Sequence, residues 1–177
     1  MGQEGQQQER LDIGDLQRLY DTFQEESDRG AAIVGAAYLE ARLAELLGAF
    51  FTEDATKLNG EVKRWPLDSY AKRVILAHWT GLISDDENHD LERIGAIRNR
   101  FAHKGHALSF SDPHIVAECS RLRLWKPLSE FLSLDTARSQ FLFTITTLLM
   151  QLGMRVLRAQ RERRVKPDEF RIAQIVR

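Results

Sequence analysis

The sequence has few of the residues that cross-link a chain or break its helices into short segments. Its 177 residues include one cysteine, Cys119, which excludes an internal disulfide and a cysteine-based zinc site. Four prolines and eleven glycines leave long stretches uninterrupted, and that favours helices over a fold with many turns. The five histidines lack the His-x3-His and His-Glu-x2-His spacings of zinc-binding helices. We therefore expect neither a metal nor a cofactor.

Long apolar runs are also missing. No stretch reaches 18 apolar residues, and the nearest candidate, residues 141–157, is interrupted by threonines, Gln151 and Arg155. The first eight residues are polar, unlike the apolar core of a secretory signal. We expect a cytoplasmic protein that does not enter a membrane.

An excess of positive charge is absent as well. The formal net charge is −1 and the isoelectric point is about 6.5, whereas dedicated DNA-binding domains are usually strongly basic. Only residues 155–171 are locally basic, and cations at the end of a helix are favoured by its dipole. The composition argues against direct DNA binding.

The apolar residues that are present recur with the period of a helix. They predict an all-α fold, an antiparallel bundle of about six helices. The expected helices span residues 12–23, 28–51, 68–80, 85–103, 113–125 and 136–163. We expect a disordered N-terminal tail (1–10), a single all-helical domain (11–165) and a C-terminal tail (166–177).

Polar residues of the kind that begin helices precede several of these segments. Ser27 or Asp28 is expected to cap the second helix, and Asp112 followed by Pro113 opens the fifth. The run from Ser84 to Glu87 has the spacing of a capping box. Asp135 is expected to cap the last helix.

Arg98 is the most informative residue of the predicted fourth helix. Stepping 100° per residue places Leu91, Ile94 and Phe101 within about 60° of it, on the apolar face. A guanidinium on such a face needs a partner. Glu40 is the one acidic residue on the face of the second helix that carries the apolar residues at positions 33, 37, 44, 47 and 51. A bidentate Glu40–Arg98 ion pair between the two helices satisfies both groups.

The same residues also allow metal-free RNA cleavage. Arg98 would stabilise charge on the phosphoryl oxygens while a ribose 2′-hydroxyl attacks the phosphorus, and His103 would accept or donate the proton. Asn99 would orient the groups by hydrogen bonding. Arg98, Asn99 and His103 are thus the candidate catalytic residues of a ribonuclease, and RNA is its expected partner.

The remaining polar and aromatic residues are interpreted as structural. Trp65, Trp79 and Trp125 are expected to anchor the core or an interface, and His78 is expected to pack in the core. Cys119 is expected to be an inert buried thiol.

The run Arg98-Asn99-x-x-x-His103 resembles the signature of the HEPN superfamily of small helical bundles. Many members are metal-independent ribonucleases or toxins, and others keep the fold without the activity. In active members the Arg and His of two protomers form one cleft. The resemblance implies a homodimer with His103 at or near its interface.

A second resemblance covers residues 18–155 and is to the mannitol operon repressor (MtlR-like) family. It rests on an ordered series of segments: 26–30, 38–43, 66–70, 81–83 and 97–103. It implies an all-helical, dimeric, repressor-like protein for transcription regulation of sugar-alcohol uptake genes. No helix-turn-helix is evident, because the acidic run from Ser84 to Glu87 would face DNA phosphates. Regulation through contacts with a protein partner is therefore expected.

The sequence leaves two functions open. One is a non-enzymatic regulator acting as a helical dimer on a protein partner. The other is a metal-independent endoribonuclease of HEPN type that uses Arg98 and His103.

Overall fold

The computed structural model describes residues 13–51, 68–103 and 108–166. These residues form six α-helices, one 3-10 turn at Lys126–Leu128 and no strand: α1 (Ile13–Glu25), α2 (Asp28–Phe50), α3 (Tyr70–Trp79), α4 (Asp85–His103), α5 (Pro113–Ser120) and α6 (Ala137–Arg161). The predicted all-α helical bundle is confirmed. The predicted N-terminal tail and residues 167–177 lie outside the described residues, as does Trp65.

The two longest helices, α2 and α6, pack against each other and form the centre of the bundle. The face of α6 predicted to point inward is buried: Phe141, Ile145, Leu148, Leu152 and Val156. Gly35 of α2 permits this close packing, because a Cβ atom there would lie 2.5 Å from Cδ1 of Ile145. By length and composition α6 is apolar enough to cross a membrane, but its burial against α2 is typical of a core helix.

The buried face of α2 differs from the predicted one. Ala37 and Ala44 are exposed and Glu40 is half-buried, whereas the core is formed by Ala32, Ala36, Leu39, Leu43, Leu46, Leu47 and Phe50. Apolar residues occur on most sides of this alanine-rich helix, so its periodicity is weak. The larger leucines decide which side is buried, because they remove more apolar area from water.

Most of the predicted helix starts are confirmed. The Ser27 hydroxyl accepts a hydrogen bond from Gly30 N at 3.0 Å, and Asp112 accepts one from His114 N at 3.0 Å. Ser84 and Glu87 form a reciprocal capping box. The start of α6 was predicted wrongly: Thr136, and not Asp135, caps it together with Ser139.

Helix α5 ends at Ser120, well before the predicted position near Trp125. The Asp90 carboxylate of α4 accepts hydrogen bonds from Arg123 N and Leu124 N, all at 2.9 Å. Backbone groups held in this way cannot continue the helix, and this long-range contact has no local sequence signal.

Arg138, in the first turn of α6, joins three parts of the chain that are distant in sequence. Its guanidinium contacts the Asp28 carboxylate and donates to Phe23 O at 2.9 Å and Glu26 O at 2.6 Å, at the corner between α1 and α2. Asp28 also accepts a hydrogen bond from Phe110 N at 2.8 Å. Arg138 thus holds α6 to the corner that α1 and α2 share.

Candidate functional site

Arg98 lies on α4 with 33% of its side chain exposed, at the edge of the apolar face instead of its centre. Its Nη2 is 3.9 Å from Glu40 Oε2, which is an ion-pair distance but too long for a hydrogen bond. Its Nη1 donates to Asn99 Oδ1 at 3.1 Å. The pairing expected with Glu40 is therefore a single long contact instead of a bidentate one.

Glu40 is bound more closely by Arg73 of α3, a residue that was not predicted to lie at the site. Arg73 Nη1 donates to Glu40 O at 3.2 Å and to Glu40 Oε1 at 3.3 Å. The two guanidinium groups therefore share the Glu40 carboxylate. Arg73 and Glu40 come from helices far apart in sequence, so no local spacing indicates the contact.

A groove of about 440 Å³ runs between α3 and α4 beside this cluster. Its lining combines apolar and small residues with polar groups near Arg98: Tyr70, Val74, Ile75, Gly95, Ala96 and Asn99. A Cβ on Gly95 would lie 2.9 Å from the Tyr70 ring, so glycine leaves room for that ring. The groove is mainly apolar, and its charged lining residues are one cation, Arg98, and one anion, Glu92.

Tyr70 is a structural member of the groove. Its hydroxyl donates to Leu91 O at 2.9 Å, and burial raises its pKa far above the usual value. The phenol therefore stays protonated and does not act as an acid or base near neutral pH.

His103 is exposed and is the last residue of α4. Asn99 is exposed one turn earlier and lines the groove with Arg98. Among the described residues no hydrogen bond or ion pair joins His103 to Arg98. The three candidate catalytic residues therefore share one end of α4, without the mutual contacts of an assembled catalytic site.

Glu87, and not Glu40, forms a bidentate ion pair between two helices. Its side chain is 2% exposed, and its carboxylate accepts from Arg155 Nε at 2.8 Å and lies 2.7 Å from Arg155 Nη2. Glu87 Oε2 also accepts from Ser84 N at 2.6 Å. One carboxylate therefore caps α4 and attaches it to α6.

Asp90, fully buried, is held by backbone and side-chain donors. Besides the amides of Arg123 and Leu124, it lies 2.9 Å from His89 Nδ1. Arg93 Nε donates to His89 Nε2 at 2.9 Å, and Arg93 Nη1 donates to Glu118 at 2.6 Å. Because Arg93 can only donate, Nε2 accepts and the His89 proton lies on Nδ1. This network fixes α5 and the following turn against α4.

His78, which was predicted to pack in the core, does not lie there, and Trp79, which was predicted to anchor the core or an interface, is outside the core. His78 is one-third exposed and its Nε2 lies 2.8 Å from Asp85 Oδ1. Trp79 is 80% exposed at the end of α3, whereas Trp125 is half-buried. Cys119 is buried, and this burial raises its pKa to about 12, which suits an inert thiol.

No group of three or more potential metal ligands occurs in the described part of the chain.

Comparison with known structures gives one informative similarity. The fold is similar to that of a chain in the X-ray structure of the MtlR–HPr complex from Escherichia coli, with a TM-score of 0.62 and 19% sequence identity. The match covers 79% of this chain and 99% of that chain.

The fold is MtlR-like. No family model matches the sequence, and no curated protein matches it significantly. At 19% identity the likeness to MtlR establishes architecture alone, so the roles of Arg98, Asn99 and His103 remain predictions.

The partial exposure of Glu40 and its long contacts determine the effect expected for Glu40→Ala. The Glu40 side chain is 27% exposed and its contacts with Arg73 and Arg98 are 3.3 Å and 3.9 Å long. Partly exposed pairs contribute little, so the substitution is expected to lower the free energy of unfolding by about 1 kcal/mol or less. Urea unfolding followed by circular dichroism measures this change. A loss as large as that expected for a buried pair would contradict the geometry.

Proposed function

We propose that the protein is a cytoplasmic, repressor-like regulator that acts through contacts with a protein partner, as a mannitol operon repressor-like helical dimer. The observation that carries the proposal is the MtlR-like fold, because the similar chain belongs to an MtlR–HPr complex and is covered almost completely. HPr is accordingly the first partner to test.

The electrostatics of α4 support a protein partner over DNA. Helices α3 and α4 are joined by a turn that contains Gly81, which has a φ of 72°. The first turn of α4 presents Asp85 and Asp86, whose side chains are 92% and 59% exposed. These carboxylates would be repelled by DNA phosphates at the position where a recognition helix meets DNA.

Calorimetric titration with purified Escherichia coli HPr tests the proposal. We expect saturable binding with a dissociation constant below ~100 µM, corresponding to about 5 kcal/mol or more of binding free energy. Ubiquitin serves as an unrelated small control protein. Absence of heat with HPr, together with a sequence-specific DNA complex at physiological salt, would contradict the proposal.

The loose contact between Glu40 and Arg98 favours a second candidate, the metal-independent endoribonuclease. Apart from the bond to Asn99, Arg98 makes no hydrogen bond among the described residues, so its other donors remain for a phosphate. In a dimer His103 would complete the cleft. Incubation with mixed RNA in EDTA would give 2′,3′-cyclic phosphate ends if this function holds, and His103→Ala would abolish them without unfolding the protein. Intact RNA would exclude this function.

A further inference from the structure

We propose that the outward face of α6 is the surface through which two copies of the chain form an antiparallel, two-fold dimer. The inference rests on the proposed function, because it names the surface of the dimer proposed there. Its basis in the molecule is an uncovered apolar stripe on α6 and the opposite charges at the two ends of that stripe.

Helix α6 has a second apolar face besides the one that packs against α2. Less than half of its most apolar stretch is buried in the bundle. Phe143, Met150 and Leu157 recur every seven residues, and a projection of 100° per residue places them and Met154 within about 40° of Met150. Met150 is 37% exposed and Met154 66% exposed, whereas Phe143 and Leu157 are half-buried. We call these four residues the α6 stripe.

No charged residue lies within the α6 stripe. The chain from Ser139 to Met154 contains no acidic or basic residue, and the stripe extends for about 21 Å along the helix. Apolar residues that recur every seven positions are typical of helices that pack along one another. An occupant that suits the stripe is therefore an apolar helix face of similar length, and α6 of a second copy is such a face.

The spacing of the residues is similar in both directions from Met150. Phe143 and Leu157 each lie seven residues from Met150, and Thr146 and Met154 each lie four residues from it. In an antiparallel pair centred on Met150, Phe143 of each copy meets Leu157 of the other, and the two Met150 side chains meet at the axis. A surface that contacts itself in this way forms a closed, two-fold dimer.

The C-terminal end of the stripe is positively charged. Arg161, the last residue of α6, is exposed, and its side chain makes no hydrogen bond or ion pair with the described residues. The two preceding arginines are each paired with a glutamate: Arg155 with Glu87 and Arg158 with Glu162. Arg163 and Arg164 follow, and they contact backbone carbonyls and the Phe50 ring instead of carboxylates. This end therefore has an excess of cations.

The N-terminal end of the stripe has an acid. Asp135, two residues before α6, is exposed and forms no side-chain hydrogen bond or ion pair within the described part of the chain. Arg138, the nearest cation along the chain, is paired with Asp28. An antiparallel pair places the Arg161 end of each copy beside the Asp135 end of the other, whereas a parallel pair places cations against cations. Charge complementarity therefore favours a second copy in the antiparallel orientation.

Met150→Glu tests the surface by sedimentation equilibrium. We expect the wild type to dimerise and the substitution to raise the dissociation constant of the dimer at least about a hundredfold, because two carboxylates would meet at the axis. Trp79→Glu is the matched control, since Trp79 is 80% exposed but lies at the end of α3. It should change the dissociation constant less than about twofold. Circular dichroism shows whether both variants fold.

Arg161→Asp and Asp135→Arg test the orientation without changing the stripe. Each variant alone should dimerise about tenfold more weakly than the wild type, because like charges then face each other at both ends. An equimolar mixture of the two variants should restore dimerisation, since each cation of the mixed dimer faces an acid. A mixture of Arg161→Asp with the wild type is the control and should give an intermediate value. Asp135→Arg leaves the start of α6 intact, because Thr136 caps that helix.

Several results overturn the inference. A Met150→Glu variant that dimerises as tightly as the wild type places the interface elsewhere, and dissociation by His103→Glu alone places it at the end of α4, as the HEPN resemblance implies. A mixture that does not restore dimerisation excludes the antiparallel pair. Loss of HPr affinity in a Met150→Glu variant that still dimerises assigns the stripe to HPr.

The two measurements separate this inference from the proposed function. A wild-type protein that binds HPr in calorimetry but stays monomeric in sedimentation overturns the inference and leaves the contact with a protein partner. A dimer that Met150→Glu dissociates and that binds no HPr supports the inference and counts against HPr as the partner.

Discussion

Asp90→Ala is expected to lower the free energy of unfolding by about 3–5 kcal/mol, a large part of the stability of a protein of this size. Asp90 is fully buried and accepts hydrogen bonds from Arg123 N and Leu124 N. Alanine would leave these amides and His89 without their acceptor, and each buried unsatisfied donor costs about 1–3 kcal/mol. Urea unfolding followed at 222 nm measures the loss.

Asp86→Ala is the matched control for Asp90→Ala. Asp86 lies one turn earlier on α4 and pairs with Arg123 across an exposed contact of 2.9 Å, so its removal should cost about 1 kcal/mol or less. Equal losses in the two variants would show that Asp90 does not organise the turn after α5.

Glu87→Ala is the second substitution with a large expected effect, about 2–4 kcal/mol. It removes the bidentate partner of Arg155 and the acceptor of Ser84 N. The Arg155 side chain is 34% exposed, so water can solvate part of the guanidinium, and the loss should not exceed that of Asp90→Ala. Chemical denaturation gives the value.

Glu87→Gln separates the two roles of Glu87. An amide oxygen can still accept from Ser84 N, but the charge that holds Arg155 is lost. An intermediate loss is expected, and Glu92→Ala, an exposed acid on the same helix, should have little effect. If Glu87→Gln were as stable as the wild type, the ion pair between α4 and α6 would contribute no net stability.

The parts of the fold that depend on neighbouring residues could be predicted from the sequence. The caps at Ser27, Ser84 and Asp112 act within three residues, so their chemistry is visible locally. The inward face of α6 was also predictable, because large apolar residues recur on one side of it. Helix α2 was predicted less well, since alanines at positions such as 37 and 44 resemble core residues but remain exposed.

The site was predicted only in part, because its contacts join distant segments. The place of Arg98 on an apolar face indicated that it needs a partner and favoured Glu40, but the position of Arg73 depends on how α3 packs against α2. The capping role of Glu87 was predictable from its spacing to Ser84, whereas its pairing with Arg155 spans 68 residues. The exposure of Trp79 likewise depends on where the bundle ends.

The position of Arg138 has a consequence for the order of folding during synthesis. Its contact with Asp28 joins residues 110 positions apart, and α2 packs most extensively against the same late helix, α6. Because α6 follows the other described helices along the chain, the side of α2 that α6 buries stays uncovered until α6 has been made. Contacts of such long range slow folding and leave apolar surface open to aggregation. Folding of the bundle is therefore expected to be completed only after α6 has been made.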